Sequence, residues 1–211
     1  MVANDHWNLE LGLTGPGTLA EDAQNTIHRV RHLALANGWQ NQLRTEAGPN
    51  FQVLRTWRFR APLGGVEVDF LPHAGGSLGY FFTDLRLGGQ WRIGWNLPED
   101  FGWAIINDLT PGSGGNPRSV SGEPGPPPRR GIQALLGVEG RFVVHNLFIS
   151  GNLLSDSHGL SPKRVGGDFN IGVVYTGRHW DIALVQTIRA KEYDGQPEVD
   201  SFGSLTLGRR F

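Results

Sequence analysis

The stretch GIQALLGVEGRFVVHN, residues 131–146, decides the fold. Its even positions carry Ile132, Ala134, Leu136, Val138, Phe142 and Val144; its odd positions carry Gln133, Gly137, Glu139, Arg141 and His145. Side chains of a strand alternate between its two faces, so one face is apolar and the other charged. A soluble sheet turns its apolar face to a core. A membrane barrel turns it to lipid and keeps the charges inside, and the charge density here favours the barrel.

Working outward, the alternation recurs until eight segments are counted, the last ending on Phe211. The first sets Trp7, Leu9, Leu11 and Leu13 against Asn8, Glu10 and Thr14; the second, about 51–60, sets Phe51, Val53, Trp57 and Phe59 against Gln52, Arg58 and Arg60. Further segments begin near Val66, Leu85, Val165, Trp180 and Ser204. Acids (Glu67, Asp69, Asp84, Glu139, Asp168, Asp181) and bases (Arg60, Arg86, Arg92, Arg141, Arg189, Lys191, Arg210) nearly balance on the polar faces. Such a set pairs across a narrow lumen, which points to a filled interior rather than an open pore. The rival, a soluble sandwich or lipocalin-like barrel, would carry this tryptophan-rich stripe on its outer surface.

The chain has 211 residues, 31 glycines, no cysteine and a formal net charge of -1, with 38% hydrophobic residues. No run approaches the ~18 apolar residues of a membrane helix, a test that strands evade. Without a basic stripe to neutralise phosphates, nucleic acid is not the expected partner. The N-terminus, Met1-Val-Ala-Asn-Asp-His-Trp7, lacks the basic and apolar regions of a signal peptide. The reading is therefore a single domain over 1–211, begun partway through a longer product and lacking its first strands and signal.

Connections alternate between short, at Ala61–Gly65 and Gly177–Arg178, and long, at 15–50 and 147–163. With Phe211 at the periplasmic end the long ones are external. The Pro/Gly-rich stretch 96–130 then falls on the periplasmic side, unusually long for that side.

Inside the loop 15–50 the period changes. Thr18 and Glu21 have the spacing of a capping box, and Gly38 supplies a stop after Asn37. Ala23, Ile27, Val30 and Ala34 would form the apolar stripe of this helix, with Gln24, His28 and Glu21 on a neighbouring face. His28 and His32 also have zinc-ligand spacing, but no glutamate follows His28 and no third ligand is evident. Gly75-Gly-Ser77-Leu-Gly79 has the letters of a nucleophile elbow without its strand-to-helix setting, and reads as a tight turn. His73 and His145 read as satisfied lumen residues, and His158 as a loop residue without an assigned role.

Leu13-Thr-Gly-Pro16, Ala23-Gln-Asn25 with His28-Arg29, and Gly38-Trp39 with Gln42-Leu43 resemble the outer-membrane lipid A 3-O-deacylases. Val138-Glu-Gly-Arg141, Asn152, Asp156-Ser-His158 and the closing Phe202-to-Phe211 run extend that resemblance over the chain. It implies a twelve-stranded outer-membrane barrel, monomeric, of which about eight strands are present. It further implies an esterase that removes the 3-linked acyloxyacyl chain of lipid A with calcium, His28 being catalytic and Gln24 its neighbour. The family's acidic position six residues after the histidine is Ala34 here, which leaves the metal ligands unknown; Glu21 and Glu46 are the candidate substitutes. Asn4-Asp5 matches an Asn-Asp pair of the family by letters, a match read as coincidence. Activity of the chain as it stands rests on strands outside it. The alternative function is a non-enzymatic, self-contained eight-stranded barrel with a structural or adhesive role.

Overall fold

A computed structural model describes residues 2–102 and 130–209. The expectations for Arg210, Phe211 and most of the 96–130 stretch lie outside the described residues. The strands are β1 (Val2–Thr14), β2 (Glu46–Leu63), β3 (Val66–Gly79), β4 (Phe82–Trp95), β5 (Gly131–Asn146), β6 (Val165–Thr176), β7 (Trp180–Arg189) and β8 (Asp200–Arg209). Two helices, α1 (Ala20–Val30) and the single turn α2 (Leu147–Ser150), lie in the connections. No described helix is long and apolar enough to cross a membrane.

Every strand pairs antiparallel with its sequence neighbour, in the order β1 to β8. The sheet curls into part of a barrel. Among the described residues β1 and β8 do not pair, so it does not close into the eight-stranded barrel of the alternative reading. Several strands exceed their sequence estimates. Asn4 and Asp5 lie within β1, and Gly75–Gly79 form the last part of β3, neither an elbow nor a turn. The turn that follows is Tyr80-Phe81. Gly64 and Gly65, at φ 56° and 93°, make the two-residue β2–β3 turn that right-twisted strands require.

Alternation sorts the side chains as a membrane barrel needs. Leu11, Leu85, Leu87, Ile171, Leu184 and Leu207 are exposed on the convex face, while Gln52, Asp84, Arg92, Gln133, Asp168 and Asn170 are buried on the concave one. There Asp69 accepts from Arg60 at 2.7 Å and from Arg92, and Arg92 also reaches Asp100. Asp168 joins Arg141 at 2.9 Å and Arg189 at 3.0 Å. The expected balance of wall charges is thus realised as direct pairs. Asp100, absent from the sequence tally, comes from the segment after β4, which folds back into the concavity. Lys191 lies beyond β7 and donates to the Pro197 carbonyl at 2.8 Å. His73 is satisfied by Glu139 at 3.2 Å. His145 departs from expectation, because its Nε2 is buried without a hydrogen-bond partner.

The start of β1, the end of β8 and the β2–β3 and β6–β7 turns lie at one end of the strands, and the loops 15–45, 147–164 and 190–199 and the Tyr80-Phe81 turn at the other. The Tyr80-Phe81 turn leans inward at that loop end. Gly12 and Gly48, register partners on β1 and β2, leave the room for it. A Cβ at Gly12 would lie 2.1 Å from Phe81 Cζ, and one at Gly48 2.5 Å from Tyr80 Cβ. A side chain at Gly48 meets the base of Tyr80, and one at Gly12 requires the Phe81 ring to turn aside.

Candidate active site

The His28 helix departs from its expected limits at both ends. Pro16–Thr18 form a 3-10 turn after Gly15, and the Thr18 hydroxyl donates to the Gly15 carbonyl at 2.8 Å. That hydroxyl accepts only the Ala20 amide, at 3.3 Å, while Leu19 takes the N-cap in a left-handed conformation without a side-chain cap. The capping box of Thr18 and Glu21 is not formed, because the turn set by Pro16 uses its threonine first.

At the other end the helix stops at Val30, not near Asn37. His32 adopts φ 56°, and the Leu33 and His32 amides donate to the carbonyls of His28 (2.8 Å) and Arg29 (3.2 Å). This is a Schellman ending with histidine where glycine is usual. Gly38 instead starts the Trp39–Asn41 turn. Because the chain reverses early, Ala34 comes back over the helix, and its carbonyl lies 2.5 Å from His28 Nδ1.

A carbonyl only accepts, so Nδ1 carries the hydrogen and the Nε2 lone pair is left for an external proton. Gln24 lies one turn before His28 on the same face, yet the ring's hydrogen bond goes to Ala34. Asn25, which sequence reasoning did not single out, holds its Oδ1 buried without a partner beside that face. Asp5 is elsewhere. It pairs with Arg55 at 2.6 Å toward the opposite end of β1, on the order of 30 Å of strand from Thr14.

Two loops are fastened together below α1. Asn152 accepts the Arg44 amide at 2.9 Å and donates to the Arg44 carbonyl at 3.0 Å, copying a strand partner with one side chain. Its Nδ2 also reaches Tyr80 Oη at 3.1 Å, which meets Thr14 Oγ1 at 3.0 Å. Glu46 accepts from Ser155 Oγ and from the Leu154 amide. Partial burial raises the Glu46 carboxyl, but bonds from Ser155, Tyr80, Asn152 and Leu154 outweigh it and lower it to about 2. As the first residue of an 18-residue strand, Glu46 lies beyond the roughly 9–11 residues that cross a bilayer. Asn152, taken from the resemblance alone, thus fastens loops, and exposed His158 gains no partner that assigns it a role.

The implied calcium takes six to eight oxygen ligands. Among the described residues no group of three or more His, Asp or Glu side chains is placed to hold a metal. Ala34 offers no carboxylate, and Glu46 is engaged by Ser155 and Leu154. The described residues therefore do not fit a calcium site, nor the zinc pair of His28 and His32.

An antiparallel meander with an apolar exterior, paired charges inside and long loops at one end defines the class: an outer-membrane β-barrel protein. The sequence profile of the family described as "Outer membrane protein LpxR" matches residues 2–211, and the chain belongs to that family. The resemblance to the lipid A 3-O-deacylases is thereby borne out. A solved structure, LpxR from Salmonella typhimurium, is 18% identical with a TM-score of 0.73; the match covers 99% of this chain and 68% of that one. No curated protein matches the sequence.

Proposed function

We propose that this chain carries the general base of an outer-membrane esterase that removes the 3-linked acyloxyacyl chain of lipid A. The observation that carries the reading is the His28–Ala34 hydrogen bond, which fixes the imidazole tautomer. Nε2 takes a proton from water as the oxygen adds to the ester carbonyl. The imidazolium then returns that proton to the departing sugar oxygen. A free fatty acid and a 3-hydroxyl result. Gln24, one turn away, is assigned to hold the water or the carbonyl by its amide. Calcium enters no step, because the described residues supply no shell for it.

The test is mass spectrometry of lipid A from cells expressing the full gene, with His28→Ala as control. Loss of the 3-linked chain in the parent and its retention in the variant is expected. Unchanged lipid A in both, with each protein folded in the outer membrane, overturns the reading in favour of a structural barrel.

A further inference from the structure

Among the described residues, the apolar stripe of α1 is left exposed. Leu19, Ala23, Ile27 and Val30 follow one another at the spacing of a single helix face. Leu19, Ile27 and Val30 are 65%, 57% and 75% exposed, and no residue of α1 is buried. Glu21, Asn25 and His28 lie on the opposite side, with Asp22 and Arg29 at its flank. A two-sided helix of this kind, with its apolar side exposed, fits a lipid–water interface.

Its neighbourhood names the occupant. The convex row of β1, Trp7, Leu9, Leu11 and Leu13, stays exposed to the last residue but one of the strand. The lipid-facing wall therefore reaches the base of the loop that bears α1. Gly17 lies between Thr45 and Leu13, where a Cβ would be 2.7 Å from Thr45 Cγ2 and 3.6 Å from Leu13 Cδ2. Three residues later the helix begins. Arg29 is in the last turn of the helix and Arg31 just past it, with Lys or Arg otherwise absent from α1. Cations at that end suit both the helix dipole and an anionic headgroup layer.

We propose that α1 is an interfacial helix whose Leu19–Ala23–Ile27–Val30 stripe enters the acyl region of the anionic outer leaflet while its basic end meets the headgroups. His28 follows Ile27, about 100° further round the helix. Docking thus turns the imidazole away from the acyl chains and toward the headgroup side. The proposal stands on the barrel's membrane setting and not on the chemistry of His28.

The chain has no cysteine, so a nitroxide can be placed singly by Ile27→Cys, Val30→Cys or Asp22→Cys. All three side chains are exposed, and circular dichroism checks that each labelled protein keeps its fold. The full chain is reconstituted into phosphatidylcholine vesicles with and without rough lipopolysaccharide. Relaxation by oxygen and by an aqueous nickel chelate is then read. At 27 and 30 the proposal expects loss of nickel relaxation and gain of oxygen relaxation, deepest with lipopolysaccharide; at 22 it expects the reverse. Nickel access at all three positions places the stripe in water and overturns it. Immobile labels at 27 and 30, shielded from both agents, show protein covering the stripe and overturn it equally. Inactive His28 with the expected depth pattern sinks the esterase reading alone.

Discussion

The side-chain amide of Asn152 pairs with both the N–H and the C=O of Arg44, joining loops 108 residues apart in sequence. Asn152→Ala removes both bonds and lowers stability by about 1–3 kcal/mol, taking each at its usual net value. Asn152→Asp keeps the acceptor but turns a carboxylate oxygen toward the Arg44 carbonyl and Glu46, so its loss is at least as large. Thermal unfolding in detergent, with amide exchange at Arg44, reads the parent above both variants. Equal exchange in all three would falsify the clasp.

The Glu46 carboxyl titrates near 2 in the fold against an ordinary 4.5. Its folded-state value is depressed, so its contribution is fully present above about 4.5 and drains away as pH falls toward 2. Exchange of the Leu154 amide should therefore accelerate across that window in the parent. Glu46→Gln, which cannot titrate, should show a flat profile there. A parallel slope in both proteins removes the assignment.

His32 holds a left-handed conformation at the helix end, unfavourable for a side chain by about 1–2 kcal/mol. His32→Gly should raise the unfolding temperature of the loop, and His32→Val should lower it. If His32 instead bound zinc with His28, zinc would stabilise the parent; no such shift is expected.

Asp69 is wholly buried between Arg60 and Arg92. Asp69→Ala removes the carboxylate that both guanidinium groups share, leaving Arg92 to Asp100 and Arg60 to Glu67 and the Pro98 carbonyl, and should cost about 3 kcal/mol, read as a lower urea midpoint. Asp5→Ala breaks one exposed pair and should cost a fraction of that. A comparable loss for both contradicts the concave charge ladder.

Calcium added to the purified 1–211 chain should leave its unfolding temperature unchanged, since a ligand that binds only the folded state raises it. A saturable rise identifies a shell the described residues do not form.

Strand identity was legible because alternation is a local property. Ile132 to Val144 shows its face without knowledge of any neighbour. The helix limits were misread for a related reason. Capping signals at Thr18 and Gly38 are short patterns, and both were pre-empted by Pro16 and by His32, whose left-handed turn no local rule assigns to histidine. The same turn brings the Ala34 carbonyl to His28, so a position read as apolar stripe and as a missing carboxylate acquires its role through the main chain. Asn152 and Glu46 stayed silent because their partners lie more than a hundred residues away. Asp100 escaped notice because it sits on no strand.

The bare pair Gly12 and Gly48 makes positions 12, 48, 80 and 81 a single inherited unit. A descendant that gains a side chain at position 48 must first move or shorten Tyr80, one that gains a side chain at 12 must turn Phe81 aside, and one that shrinks a ring leaves a hole that a larger residue opposite can fill. Drift at these four places is therefore coupled, and a lineage can alter the mouth of the barrel there only by paired steps.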